Sequence, residues 1–166
     1  MSLIPGGMRG KMNSQTDYSM ICAQLEAVTS GERDTIANLS NASAALNMNL
    51  PEVNWIGFYL ARDGQLVLGP FQGKVACIRI DFGKGVCGTA AASDTTQLVP
   101  DVHAFPGHIA CDSASNSEIV IPMHHNGKLV AVLDIDSPLK NRFTLEDQEG
   151  LERCAAILEQ ACDWMI

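Results

Sequence analysis

The sequence lacks any apolar run long enough to cross a membrane, and it has no excess of positive charge. A transmembrane helix needs about 18 or more consecutive apolar residues. The 166 residues include 11 lysines and arginines against 19 aspartates and glutamates, a net charge of −8. Because nucleic acids and anionic membranes are bound through basic surfaces, this balance argues against both as partners.

The N-terminal stretch also lacks the apolar core of a signal peptide. Residues 1–12 contain glycines, a proline and methionines without hydrophobic periodicity, so we expect a leader or disordered tail there. Residues 13–166 contain no internal repeat and no low-complexity linker. We therefore expect one domain, within the usual size of roughly 100–200 residues, and a cytoplasmic protein.

No CxxC pair occurs among the six cysteines, which excludes a zinc ribbon and a thioredoxin motif. In a chain without a secretion signal, most of these thiols should stay reduced. A few cysteines and histidines could in principle bind zinc, but their spacing matches no compact zinc-binding pattern. We therefore predict no metal site. The residues considered for it are Cys77, Cys87, His103, His108 and Cys111.

The hydrophobic pattern predicts an α+β fold. Apolar residues recur at helical spacing over residues 18–28 and again after Gly31, where Ile36, Leu39 and Leu46 share one face. Asp63-Gly64 and Asn126-Gly127 each mark a two-residue hairpin between strands. The predicted strands are residues 53–61, 65–70, 74–82, 96–100 and two within 117–137, with a short helix at 85–93 and a last helix from Thr144. Hairpins make the sheet mainly antiparallel, with the helices on one face.

The cysteines differ in their surroundings. Cys22, Cys154 and Cys162 lie on or near apolar helical stripes and are expected to be buried. Cys87 follows a Gly-Lys-Gly turn at the start of a helix, where backbone N–H groups and Lys84 would favour a thiolate. Cys77 lies within a predicted strand and its role is open.

Cys111 lies in a polar loop, HIACDSASNSE, which keeps its thiol accessible. Together with Cys87 it suggests an attacking and a resolving thiol. A disulfide requires Cα atoms roughly 4.4–6.8 Å apart, so the intervening loop is expected to move.

Two carboxylates, Asp134 and Asp136, share one face of the last predicted strand. They could mark a solvated strand end or meet a cation. Glu118 lies on the partner strand, but the simplest hairpin register pairs it with Ile135, on the opposite face. For Glu118 to lie on the same face as Asp134 and Asp136, the hairpin must contain a bulge, which we expect at Pro122. Alternatively, Glu118 lies in the loop before the strand.

Trp55 and Tyr59 are four residues apart on a predicted strand and therefore face the same way. They either fill the core or form an aromatic wall for an apolar, sulfur-bearing side chain and a cation.

The chain closely resembles the free methionine-(R)-sulfoxide reductases, which are single GAF domains. The resemblance spans nearly the whole chain after residue 12, and the three cysteines at 77, 87 and 111 make it specific. The stretches that carry it are NWIGFYL (54–60), GKGVCGTAA (83–91), DVHAFPGHIACDSASNSEIVIP (101–122) and GKLVAVLDIDSP (127–138).

The resemblance implies that Cys111 is the catalytic cysteine, Cys87 the resolving one and Cys77 an auxiliary one. It matches Trp55 and Tyr59 to an aromatic substrate wall, and Glu118, Asp134 and Asp136 to acids that bind substrate.

The implied reaction is reduction of free methionine (R)-sulfoxide through a sulfenic acid and a disulfide, without a cofactor, and with recycling by a thioredoxin-type reductant. A homodimer is left open. The alternatives are a GAF module that binds a small ligand without catalysis and a thiol redox sensor.

Overall fold

The computed structural model describes residues 15–108 and 113–166. The predicted leader, residues 1–12, and the predicted nucleophile, Cys111, lie outside these ranges. The helices are α1 (Tyr18–Thr29), α2 (Thr35–Asn49), α3 (Gly85–Ser93) and α4 (Leu145–Ala161), with a 3-10 turn at Val102–Ala104. The strands are β1 (Trp55–Arg62), β2 (Gln65–Gln72), β3 (Arg79–Asp81), β4 (Gln97–Val99), β5 (Ser117–His125) and β6 (Lys128–Ser137).

The six strands form one antiparallel sheet in the order β3-β2-β1-β6-β5-β4. Both predicted hairpins are confirmed. Asp63 and Gly64 turn β1 into β2, and Asn126 and Gly127 turn β5 into β6, each with positive φ at both turn residues. That backbone twist matches the twist of the flanking strands and is typical of Asp-Gly and Asn-Gly sequences.

The sheet separates two hydrophobic clusters. On one face, α1, α2 and α4 cover the main core, which includes Ala131, Leu133 and Ile135 of β6. On the other face, α3 covers a smaller cluster containing Trp55 and Tyr59. The α+β fold with terminal helices on one face is confirmed. No helix in the described ranges is long and apolar enough to cross a membrane.

A bulge in β6 sets the register of the last hairpin. Near the turn, His124 lies opposite Leu129, but Met123 lies opposite Ala131, so Val130 is an extra residue. The bulge predicted for this hairpin therefore exists, although it lies at the turn end rather than at Pro122. Because side chains alternate between faces, one extra residue moves the rest of β5 by one position relative to β6.

Two predicted features differ from the structure. The strand expected at 74–82 is limited to Arg79–Asp81. Residues 74–77 lie outside the strand pairing, and Val75 and Ile78 are exposed. Ile36 is also exposed, whereas Leu39 and Leu46 are buried as predicted. Ile36 lies in the first turn of α2, at the margin of the buried stripe.

The last helix begins where the sequence predicts. Thr144 and Asp147 form a reciprocal capping box, in which the Thr144 side chain accepts from the Asp147 amide. The Asp147 carboxylate also accepts a hydrogen bond from the buried Tyr18 hydroxyl at 2.6 Å and one from Arg142 at 3.2 Å. The bond from Tyr18 attaches the start of α4 to α1.

Gly150→Ala tests the packing of α1 against α4. In a helix interior, this change normally stabilises by about 1 kcal/mol. Here a methyl group at Gly150 would overlap the Tyr18 ring. We expect the free energy of unfolding in a denaturant titration to fall by about 1–3 kcal/mol. The neighbouring exposed Glu149→Ala is the control and should change it by less than about 0.5 kcal/mol. Stabilisation by Gly150→Ala would contradict this packing.

Candidate functional site

A pocket lies on the α3 side of the sheet, between the start of α3, the ends of β1, β5 and β6, and residues 75–76. It contains about 530 Å³ of empty space, counting its opening to solvent. Its walls combine apolar, aromatic, thiol and acidic side chains. The lining residues are Trp55, Tyr59, Val75, Ala76, Ile80, Lys84, Gly85, Val86, Cys87, His108, Ser115, Glu118, Asp134 and Asp136.

The register of the hairpin brings the three predicted acids to this pocket. Glu118 of β5 lies directly opposite Asp136 of β6, and Asp134 lies two residues further along the same face. Glu118 and Asp134 are each only 6% exposed. The bulge at Val130 is what places Glu118 on this face, because the simple register would have paired it with Ile135.

Both buried acids hold their protons more tightly than usual. Burial raises the pKa of Glu118 well above its ordinary value, and the negative charges of Asp134 and Asp136 add to the rise. Burial also raises the pKa of Asp134, although hydrogen bonds from Glu118 and Cys87 oppose that rise. A carboxyl in such surroundings can stay protonated and act as an acid.

The thiol of Cys87 belongs to the same cluster. Its Sγ lies 3.9 Å from Glu118 Oε1, and Cys87, Glu118 and Asp134 each offer an atom within 4.8 Å of the others. Burial and then the charges of Asp134 and Glu118 raise the pKa of Cys87 well above its ordinary value. The expected thiolate at Cys87 is therefore wrong: burial beside two acids outweighs the helix N-terminus and the exposed Lys84.

The aromatic residues form one wall of the pocket. Trp55 and Tyr59 stack with ring centroids 5.9 Å apart, and Phe71 also stacks on Trp55, at 5.2 Å. Gly57, opposite Asp134, leaves room for this stack, since a methyl group there would lie 2.7 Å from the Trp55 ring. The shared face predicted for Trp55 and Tyr59 is confirmed.

Polar contacts hold the wall against residues 74–77. The Trp55 indole donates to the Lys74 carbonyl and the Tyr59 hydroxyl to the Cys77 carbonyl, both at 3.0 Å. Tyr59 has a raised pKa because it is buried and close to Asp134. It therefore remains a neutral donor. These two bonds fix the position of the Cys77 backbone beside the pocket.

Asn54 and Ser115 also build the site, although the sequence analysis did not single them out. The Asn54 amide donates to the Ser115 hydroxyl at 3.0 Å and ties the segment before β5 to the start of β1. Further along that segment, Asn116 contacts His103 at 3.0 Å. Such contacts join residues distant in the chain, so no local pattern predicts them.

His108 lies at the edge of the pocket, with Nε2 4.0 Å from Glu118 Oε2. Burial and the proximity of His103 lower the pKa of His108, which favours the neutral imidazole. The zinc ligand set considered from the sequence contained both histidines. Among the described residues, the cluster of ligand-type side chains is instead Cys87, Glu118 and Asp134.

The cysteines fall into two classes. Cys77 is disulfide-bonded, whereas Cys22, Cys87, Cys154 and Cys162 are free thiols. Cys154 and Cys162 are buried and Cys22 is half-buried, as their apolar stripes predict. These three lie in the main core, behind the sheet from the pocket.

Comparison with known proteins agrees with this architecture. A model of the GAF domain matches residues 21–162. The chain belongs to the GAF-domain family. Relatives of this GAF domain include protein YtsP of Bacillus subtilis (strain 168), 59% identical over 90% of this chain and 93% of that protein.

A free methionine-R-sulfoxide reductase of Escherichia coli (strain K12) is 51% identical, over 90% of both chains. Among solved structures, fRMsr of Staphylococcus aureus in complex with substrate superposes with a TM-score of 0.85 at 49% identity. That match covers 89% of this chain and 96% of the other.

The buried acids predict how stability depends on pH. Above the ordinary glutamate pKa of 4.5, the unfolded chain releases a proton that folded Glu118 retains. The folded state then binds more protons, so the free energy of unfolding falls as pH rises, until the raised pKa of folded Glu118 is passed. One retained proton contributes a slope of about 1.4 kcal/mol per pH unit.

Denaturant titrations of ligand-free protein from about pH 5 to about pH 8 measure this slope. Glu118→Gln should make the decrease of the free energy of unfolding with pH less steep, by up to the slope that one retained proton contributes. Glu149→Gln, which neutralises an exposed carboxylate on α4, should keep the wild-type slope. A Glu118→Gln profile parallel to that of the wild type would exclude a retained proton at Glu118.

Proposed function

We propose that this GAF domain reduces free methionine (R)-sulfoxide to methionine. The observation that carries the proposal is the clustering of Glu118, Asp134 and Asp136 with a cysteine under the Trp55–Tyr59 wall. This pocket offers a proton, negative charge for a cation and an apolar surface. The names of the relatives from Escherichia coli and Staphylococcus aureus point to the same substrate.

The pocket suits the two ends of the substrate. The apolar chain and methyl group of methionine sulfoxide fit against Trp55 and Tyr59, since aromatic faces contact sulfur-bearing groups favourably. The ammonium group requires an anionic partner. We assign that role to Asp136, because it is half-buried whereas Glu118 and Asp134 are buried.

Protonated Glu118 is the proton donor in the proposed first step. The Cys111 thiolate attacks the sulfoxide sulfur while Glu118 protonates the sulfoxide oxygen, which makes the sulfur a better electrophile. The attack forms a bond between the Cys111 sulfur and the substrate sulfur. This bond and the S–O bond then break as the hydroxyl group passes to the cysteine sulfur. Methionine leaves and Cys111 becomes a sulfenic acid, so the cysteine sulfur is oxidised as the methionine sulfur is reduced.

A second thiol then condenses with the sulfenic acid, forming a disulfide and releasing water. The family resemblance assigns this role to Cys87. We propose Cys77 instead, because Cys77 is disulfide-bonded while Cys87 is a free, buried thiol with a raised pKa. In this scheme Cys87 stays protonated beside Glu118 and Asp134.

A dithiol reductant must reopen the disulfide to complete the cycle. We propose a thioredoxin-type protein, which agrees with the cytoplasmic location expected from the sequence. The reductase function needs no cofactor. NADPH consumption that depends on thioredoxin and free methionine sulfoxide distinguishes it from a ligand-binding GAF module. It also excludes a pure peroxide sensor, which would not consume the sulfoxide.

Cysteine variants test the scheme. Cys111→Ser should abolish methionine formation, since no other thiol is assigned to attack. Cys77→Ser should release about one methionine per chain in a single turnover and then stall, because the sulfenic acid lacks its partner. Cys87→Ser should continue to turn over with thioredoxin. Methionine is quantified by chromatography after mixing enzyme and sulfoxide with and without reductant.

The control is Cys22→Ser, a half-buried thiol in the main core, which should leave turnover at the wild-type rate. Stalling of Cys87→Ser with continued turnover of Cys77→Ser would return the resolving role to Cys87. Steady-state activity of Cys111→Ser would overturn the assigned nucleophile.

Substrate choice tests the acids. N-acetylated methionine sulfoxide lacks the ammonium group and should be a poor substrate, and peptide-bound sulfoxide a poorer one because its chain has no room in the pocket. Asp136→Asn should reduce kcat/KM for the free amino acid by about 10–100-fold, equivalent to about 1.5–3 kcal/mol for a charge-assisted hydrogen bond.

Asp136→Asn should reduce turnover of the N-acetylated compound much less, because that compound has no ammonium group to interact with Asp136. Rates are compared side by side at matched enzyme concentration. Similar rates on free, acetylated and peptide-bound substrates would show that these acids do not select the free amino acid.

A further inference from the structure

The cluster of Cys87, Glu118 and Asp134 has the composition of a metal site. All three side chains are at least nine-tenths buried, and each offers a sulfur or oxygen atom within 4.8 Å of the others. Asp134 Oδ1 is buried and has no hydrogen-bond partner among the described residues. Because Asp134 lines the pocket, this unpartnered oxygen is available to a cation that enters there.

The spacing of the donors is close to what zinc requires. Bonds of about 2.3 Å to sulfur and about 2.0 Å to oxygen at the tetrahedral angle place those two ligands about 3.5 Å apart. Cys87 Sγ and Glu118 Oε1 are 3.9 Å apart, so rotation of side chains suffices without a shift of the sheet. The backbone is already fixed, since Glu118 and Asp134 lie on paired strands.

The kinds of donor select the metal. One thiolate with two carboxylates suits zinc, whereas magnesium and calcium prefer oxygen ligands alone. Three protein ligands leave a fourth position open for water.

We propose that Cys87, Glu118 and Asp134 form an inhibitory Zn²⁺ site that excludes methionine sulfoxide from the pocket. The two occupants compete because zinc binding displaces the Glu118 proton into solvent and fills the space beneath the aromatic wall. The inhibitory part rests on the proposed function, whereas zinc binding does not. The site also gives Cys87 a role outside the disulfide chemistry.

Zinc binding is measured first in a Cys77→Ser/Cys111→Ser background, which removes the two other thiols assigned to the reaction. Reduced protein competes with a chromophoric chelator for Zn²⁺, and the expected result is one Zn²⁺ per chain. Adding Cys87→Ser should weaken binding by about 100-fold or more, since even the loss of an outer partner of a ligand costs 10–100-fold. Adding Glu118→Gln should also weaken zinc binding.

Adding Cys22→Ser instead is the matched control and should leave the zinc affinity unchanged. With Co²⁺ as a probe, a sulfur-to-cobalt charge-transfer band should appear in the background protein and vanish with Cys87→Ser. Circular dichroism melting shows whether each variant is folded. Zinc affinity that is unchanged by both Cys87→Ser and Glu118→Gln, or equal binding of Mg²⁺, would overturn the site.

Competition with substrate is measured in the same background, without turnover. Saturating free methionine sulfoxide should weaken the apparent zinc affinity at least about tenfold, whereas N-acetylated methionine sulfoxide should have little effect. Zinc affinity that does not respond to the free sulfoxide would overturn the inhibitory role. Since this titration requires no catalysis, a failure of the wild-type protein to reduce methionine sulfoxide would be recognised separately, in the NADPH assay.

Discussion

The site depends on one constraint, the burial of three proton-holding side chains between the sheet and the start of α3. Glu118, Asp134 and Cys87 cannot all ionise there, because each charge would lack water and repel the next. They must keep protons or meet a cation. Both outcomes are useful to a reductase that protonates a sulfoxide oxygen and recognises a free amino acid. The cost in stability is greatest at high pH, where the unfolded chain has released protons that the folded site retains.

The bulge at Val130 makes this cluster possible. Without the extra residue, Glu118 would face the main core with Ile135, where an acid has no partner and would disrupt packing against the helices. With it, Glu118 lies opposite Asp136 and the apolar residues of β6 still face α1, α2 and α4. A single inserted residue near a hairpin turn thus serves the core and the site at once.

The surroundings of each cysteine determine how its thiol behaves. Cys22, Cys154 and Cys162 pack as small apolar residues in the main core. Cys87 lies near the start of a helix, a position that favours a thiolate, but burial of the thiol and then its carboxyl neighbours raise its pKa and reverse that tendency. Cys77 lies in a segment outside the sheet, held by the Tyr59 hydroxyl at its carbonyl. The two cysteines near the pocket therefore have different surroundings, which residues distant in the chain provide.

The sequence by itself determined the helices, the two hairpins, the start of the last helix near Thr144 and the shared face of Trp55 and Tyr59. These follow from periodicity, turn residues and alternation, which act over a few neighbouring residues. The family resemblance added roles for the candidate residues, but not their arrangement. Only the tertiary structure decided where the β6 bulge lies, how short β3 is and that burial raises the pKa of Cys87. Those features depend on strand register and on burial by residues far away in the chain, and no local sequence pattern predicts either of them.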